Sequence, residues 1–212
     1  MITVRLFDKE YDLPQSWNEV SLGDYQKIYK LEADSYSSQP FYLLDIISVL
    51  TGINTDLLLQ CGDTGIATLI DTLKWLNNTE IGGAFIKTFE MDGVKYGYHP
   101  NLEKLNLGEA ISLELEVSNQ DDGYENMHRI LAILIRPVDD TGKLLPFSPD
   151  DYLQRAEMYQ NELKMTHVYK GINFFLLSVL GSLNNTHLSM QVLEKNQKLQ
   201  KKLKLLIEVS KN

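Results

Sequence analysis

A pattern that returns after 85 residues is the strongest constraint on how this chain can fold. Thr3-Val4-x-Leu6 is met again as Thr88-Phe89-x-Met91, and Tyr11-x-Leu13 as Tyr96-x-Tyr98. Ser21-Leu22-Gly23-Asp24 is met again as Asn106-Leu107-Gly108-Glu109. Elements of the same kind in the same order at a fixed offset are the mark of a duplicated supersecondary unit. A chance match between two capped hairpins is the alternative.

Each half of the pattern has a physical reading. Ile2, Val4 and Leu6 alternate with Thr3 and Arg5, the period of two expected of a strand. Asp8-Lys9 then serves as a tight turn, and Tyr11–Leu13 returns as the second strand. In the second half Met91-Asp92-Gly93-Val94 is a clearer hairpin turn, because Asp-Gly supplies the positive φ that such turns need. Ser21 and Asp24 form one capping box and Asn106 and Glu109 a better one, with Val20 and Tyr25 placed as a hydrophobic staple. Helices are predicted from about Leu22 to Leu31, through the buried runs Ile46–Thr51 and Ile130–Ile135, and over about Gly65–Leu76. A further helix opens at Ser148-Pro149-Asp150-Asp151 and runs to about Lys164. Outside the repeat, Gly171–Leu183 is an apolar helix and Leu188–Val209 a long amphipathic one.

The fold class is therefore mainly α with small β-hairpins (α+β). Two diverged hairpin-plus-helices repeats occupy 1–84 and 85–170, and 171–212 carries the apolar helix and the basic C-terminal helix. The chain of 212 residues is long enough to bury a sizeable core. The formal net charge is −9, which argues against general nucleic-acid binding. That charge is uneven: residues 187–212 carry six lysines against two acids, leaving −13 on the remainder. An acidic body with a basic tail suits contacts with copies of itself or with a neighbour; a solvated helix face is the bland alternative.

The single cysteine, Cys61, excludes a disulfide within the chain and fits a reducing compartment. MITVRLFDKE has no apolar signal core, and no stretch approaches the ~20 apolar residues of a membrane span. Cytoplasmic synthesis is expected.

Chemistry is hard to find. His99, His128, His167 and His187 lack partners at metal-ligand spacing. His99 falls in the loop after the second hairpin, and His128 reads as a capping or satisfied core residue. No phosphate-binding loop, dinucleotide fingerprint or nucleophile elbow occurs. Cys61 has no basic neighbour in sequence, and Asp63 disfavours its thiolate. Asn119-Gln120-Asp121-Asp122-Gly123 is a polar turn and not a calcium loop, since the glycine is misplaced and the late Glu is missing. Asp139-Asp140 and Asp150-Asp151 lie where turns and caps want acids. No catalytic, cofactor-binding or metal-binding residue is assigned, and the chain is expected not to be an enzyme.

Two segments carry a family resemblance. V-x-x-F-D-K-E-Y-D-L-P followed by V-S-L-G-D-Y, and M-D-G-V-K-Y-G-Y-H-P followed by L-N-L-G-E-A, resemble the opening of small tail-assembly proteins of tailed bacteriophages. L-P-Q-S-W-N-E-V-S-L-G-D-Y and I-L-A-I-L-I-R-P are similar to virion-gene products of phages infecting Bacteroidetes, including the crAss-like group. The resemblance extends over about residues 1–180 and transfers no functional residue. It implies a non-enzymatic structural protein of a tailed-phage particle: a ring, neck, head–tail connector, tail or packaged component, assembled in the bacterial host cytoplasm. Its partners would be other phage structural proteins, with homo-oligomerisation open and neither a membrane nor nucleic acid expected. A tail-assembly chaperone not retained in the virion is the alternative. The expected contact residues are Val192, Lys195, Lys198, Leu199, Lys202, Leu203 and Leu206 on the C-terminal segment, whose apolar stripe packs on its own domain or on a neighbour.

Overall fold

The computed structural model describes residues 1–6, 8–31, 38–77, 85–118 and 125–182. Within them the chain divides into two units, one of residues 1–20 and 24–77 and one of residues 21–23 and 85–182. The fold is α+β and mainly helical, with one two-stranded and one three-stranded antiparallel sheet.

The first unit opens on a hairpin of β1 (Ile2–Leu6) and β2 (Lys9–Leu13). Leu6 pairs with Lys9, so the turn lies one residue earlier than the expected Asp8-Lys9, with Asp8 inside it at φ 62°. In the second unit β3 (Thr88–Met91) and β4 (Val94–Tyr98) close around Asp92-Gly93, at φ 49° and 73°. The registers match: Val4 faces Tyr11 as Phe89 faces Tyr96. Asp8 thus holds the left-handed position that Gly93 fills without a steric penalty 85 residues later. Its 3.3 Å contact with Arg5 joins side chains that are 97% and 70% exposed, which is worth almost nothing. Asp8→Gly is therefore expected to raise the stability of this unit by a few tenths to about 1 kcal/mol. A higher urea midpoint would show it, and a lower one would mean that the Asp8 side chain outweighs its backbone strain.

After β2 comes a 3-10 turn at Trp17–Glu19, then α1 (Leu22–Lys30), whose first residues cluster with the second unit. The rest of the first unit is α2 (Gln39–Thr51), α3 (Thr55–Leu58) and α4 (Asp63–Asp71), with a 3-10 turn at Thr72–Asn77. Gly52 stops α2 at φ 72° and returns its N–H to the Ser48 carbonyl at 2.8 Å. α3 was not foreseen, although Asn54 caps it by accepting from the Asp56 N–H at 2.7 Å. Trp17 organises the core, with its ring edge-on to Tyr25 at 5.6 Å and to Trp75 at 5.2 Å. Leu13, Ile46, Ile47 and Leu58 are buried in the same unit, as are both members of the expected staple, Val20 and Tyr25.

The second unit repeats the opening at the same spacing. A 3-10 turn at Leu102–Lys104 and α5 (Leu107–Ser118) begin 85 residues after their counterparts. α6 (Met127–Leu134) follows, and then the chain departs from expectation. The run Ile130–Ile135 is helical only to Leu134; Ile135–Pro137 is β5, paired with β4 to give the order β3-β4-β5. A residue before proline is driven toward extended backbone, and Pro137 without an N–H suits an edge strand. One carbonyl freed at the end of α6 finds a cation instead, while the Leu134 carbonyl accepts from the His99 N–H at 2.7 Å. Arg155, on α7 (Pro149–Glu162), donates from Nε and a terminal nitrogen to the Ala132 oxygen at 3.2 and 3.0 Å. α7 begins as the sequence indicated, with the Ser148 hydroxyl accepting from the Asp151 N–H at 3.3 Å.

The last described element is α8 (Met165–Ser182), which starts six residues before the expected Gly171. Gly171 lies inside it, at a point where a Cβ would fall 2.9 Å from the Tyr98 ring. Tyr98 donates its hydroxyl to the His167 carbonyl at 3.0 Å, tying β4 to this helix. No described helix is long and apolar enough to cross a membrane.

Candidate functional site: a buried ionic clamp beneath an exposed apolar helix face

α5 is turned opposite to what its composition suggests. Its two most buried residues are acids, Glu109 and Glu116, two turns apart on one face. Three of its large apolar residues, Leu107, Ile111 and Leu115, point outward at 76%, 57% and 53% exposure, while Leu113 and Val117 are half-buried.

Glu109 is held from three directions. Its Oε2 accepts from the Asn106 N–H at 2.7 Å, and its own N–H donates to Asn106 Oδ1 at 3.0 Å. This is the capping box read from the sequence. The unforeseen partner is Arg136 on β5, whose guanidinium meets Glu109 Oε1 at 2.7 Å with both side chains almost fully buried. His99, directly after β4, brings Nε2 to 3.6 Å from Glu109 Oε2. Burial is the main influence on His99 and lowers its pKa; Glu109 pulls the other way and Arg136 reinforces the burial. His99 is thus neutral at neutral pH, and the cluster is one carboxylate against one guanidinium. The Arg136 guanidinium also lies 6.0 Å from the Phe147 ring centre.

Glu116 repeats the arrangement more loosely. The Tyr152 hydroxyl donates to its Oε1 at 3.0 Å, and Arg129 approaches Oε2 at 3.6 Å. Asn126 Nδ2 donates to the Glu116 backbone oxygen at 3.4 Å, joining the end of α5 to the start of α6. Both clusters fasten α5 by its polar face, which leaves the apolar residues for the surface. With both oxygens engaged by donors, Glu109 acts as a clamp that holds α5 in place.

The other histidines have structural settings. His128 is half-buried near the start of α6, with its pKa lowered by burial first and by Arg129 second. His167 stacks on Phe89 with centroids 4.0 Å apart. Burial, helped by Lys170, lowers the His167 pKa from 6.5 to about 4. The folded state therefore resists protonation that the unfolded chain accepts. Stability from this group is full above about pH 6.5 and is lost as the pH falls toward 4. His167→Gln should flatten that part of a melting-temperature profile, and an unchanged slope would assign the acid sensitivity elsewhere.

His187 and the 119–123 turn lie outside the described residues, as do Val192, Lys195, Lys198, Leu199, Lys202, Leu203 and Leu206. Cys61 sits half-exposed between α3 and α4. Asp139 organises a surface turn, accepting from the Thr141 N–H and hydroxyl and from the Lys143 N–H at 2.6–3.0 Å. Among the described residues no three or more His, Cys, Asp or Glu side chains are grouped to hold a metal ion. Sequence reasoning found Glu109 through its cap but missed Arg136 and the outward face of α5. The one available signal was the basic residue wedged in the apolar run Ile130–Pro137. No family model, curated protein or solved structure matches the chain.

Proposed function

We propose that the chain is a non-enzymatic structural component of a tailed-phage particle that works through protein–protein contacts. The observation that carries this reading is the outward apolar face of α5, fixed in place by buried acids with partners of their own. Contiguous exposed apolar residues on a rigid element favour a partner surface over solvent. The resemblance of residues 1–180 to phage tail-assembly and virion proteins supplies the kind of assembly. Mass spectrometry of purified particles tests it: copies present in stoichiometric amount support a structural part, and absence overturns it. Absence combined with co-purification with a tail-tube protein from infected cells would favour the assembly chaperone instead.

A further inference from the structure

Leu107 and Leu22 stand 85 residues apart at the same position of their helices, yet their surroundings differ completely. Leu22 is 0% exposed, and its N–H donates to the Leu163 carbonyl at 2.8 Å. Ser21 beside it forms a β-bridge with Lys164, so the short link between α7 and α8 lies on this helix start. Leu107 is 76% exposed, and Ile111 and Leu115 extend the open stripe along α5 at spacings of four. Ala110 and Ser118 are exposed on the same side, and Glu114 is the one charged residue on that face. The helix start 85 residues on carries the same apolar residue without the cover that Leu22 has. The stripe spans about 12 Å of helix, enough for two turns of a partner helix.

The chain itself contains a segment with matching chemistry. Leu199, Leu203 and Leu206 repeat at spacings of four and three among lysines, on a tail whose formal charge opposes that of the remaining chain. Leu–Ile–Leu against Leu–Leu–Leu at one-turn spacing is the interdigitation that paired helices use. Lys202, between two of those leucines, suits Glu114, which stands between Ile111 and Leu115. We infer that the α5 face receives residues 188–209 of a second copy, so that the chain self-associates by tail-to-α5 exchange. Two such contacts close a symmetric pair, and a one-way exchange propagates a ring or row. This contact does not depend on the phage reading, because a particle protein and a free chaperone can both self-associate.

Light scattering on the full chain across a wide concentration range tests it, alongside Ile111→Asp and Leu203→Asp. Ile111 is exposed, so its variant should keep the far-ultraviolet spectrum and melting temperature of the parent. The expected result is a concentration-dependent oligomer, weakened at least about tenfold by either change and by added salt. A mixture of isotopically heavy and light copies carrying a photo-crosslinker at position 111 should yield heavy–light links into 188–209. A monomer at every concentration overturns the inference. So does an oligomer indifferent to either substitution, or cross-links confined within single copies. Absence from purified particles with an intact oligomer would remove the particle reading alone.

Discussion

Replacing Glu109 with alanine is expected to cost about 3–5 kcal/mol, because it strands the buried Arg136 guanidinium. The Glu109–Arg136 contact is 2.7 Å long, with side-chain exposures of 3% and 6%. A buried pair gains little over apolar residues of the same shape, but a lone buried cation is strongly unfavourable. The same change removes half of the capping box, adding about 1 kcal/mol. Folded domains hold roughly 5–15 kcal/mol in reserve, so the second unit would be near its limit. Glu109→Gln separates the contributions: its amide oxygen can still accept from Asn106, while the charge is gone. Arg136→Met in the Glu109→Gln background should recover part of the loss, since no unpaired cation then remains. Calorimetry is the right measurement, because two units need not melt as one transition. A loss below about 1 kcal/mol for Glu109→Ala would mean that Arg136 reaches water and that the clamp is a surface contact. A loss that disappears on adding salt would mean the same, since buried pairs are poorly screened.

That clamp also marks where sequence reasoning stopped. The capping box was legible because it is local: Asn106 and Glu109 are three residues apart, and their bonds need only a helix start. The hairpins were legible for the same reason, and the structure places β2 and β4, both 3-10 turns and the starts of α1 and α5 at one 85-residue offset. The turn at Asp8 was misplaced by one residue because Asp8-Lys9 lacks the glycine that fixes Asp92-Gly93. β5 was missed because its pairing with β4 is long-range: Ile135 faces Tyr98, and nothing near Ile135 announces that edge. The orientation of α5 was illegible in a stronger sense. Its apolar pattern, taken alone, buries Leu107, Ile111 and Leu115. Arg136, Tyr152 and Arg129 come from other elements and reverse that choice by paying the desolvation of two carboxylates. The exposed stripe is thus a consequence of tertiary contacts that no local pattern encodes.

Tyr159 is the second point at which a large loss is expected, and it tests the core beneath β5. Its side chain on α7 is fully buried, and its hydroxyl donates to the Ile135 carbonyl at 3.1 Å. Its ring meets Tyr96 edge-on at 5.8 Å, so one residue joins α7 to two strands. Tyr159→Ala opens a cavity of aromatic size and should cost about 3–5 kcal/mol. Tyr159→Phe keeps the packing and loses one donor to a buried carbonyl, for about 1–2 kcal/mol. The two variants should therefore separate cleanly in the calorimetric transition of the second unit. Equal losses would show that the hydrogen bond, and not ring packing, holds β5 against α7. Alkaline titration gives an independent check. Burial pushes the Tyr159 phenol well above its usual value of 10.0, so the unfolded chain releases this proton at a lower pH than the folded one. Stability from this group is complete below about pH 10 and declines as the pH rises further. Tyr98 contributes in the same direction, because burial raises its pKa as well. Tyr159→Phe should remove part of the alkaline decline and leave the share due to Tyr98; an unchanged slope would place the proton release on more exposed phenols.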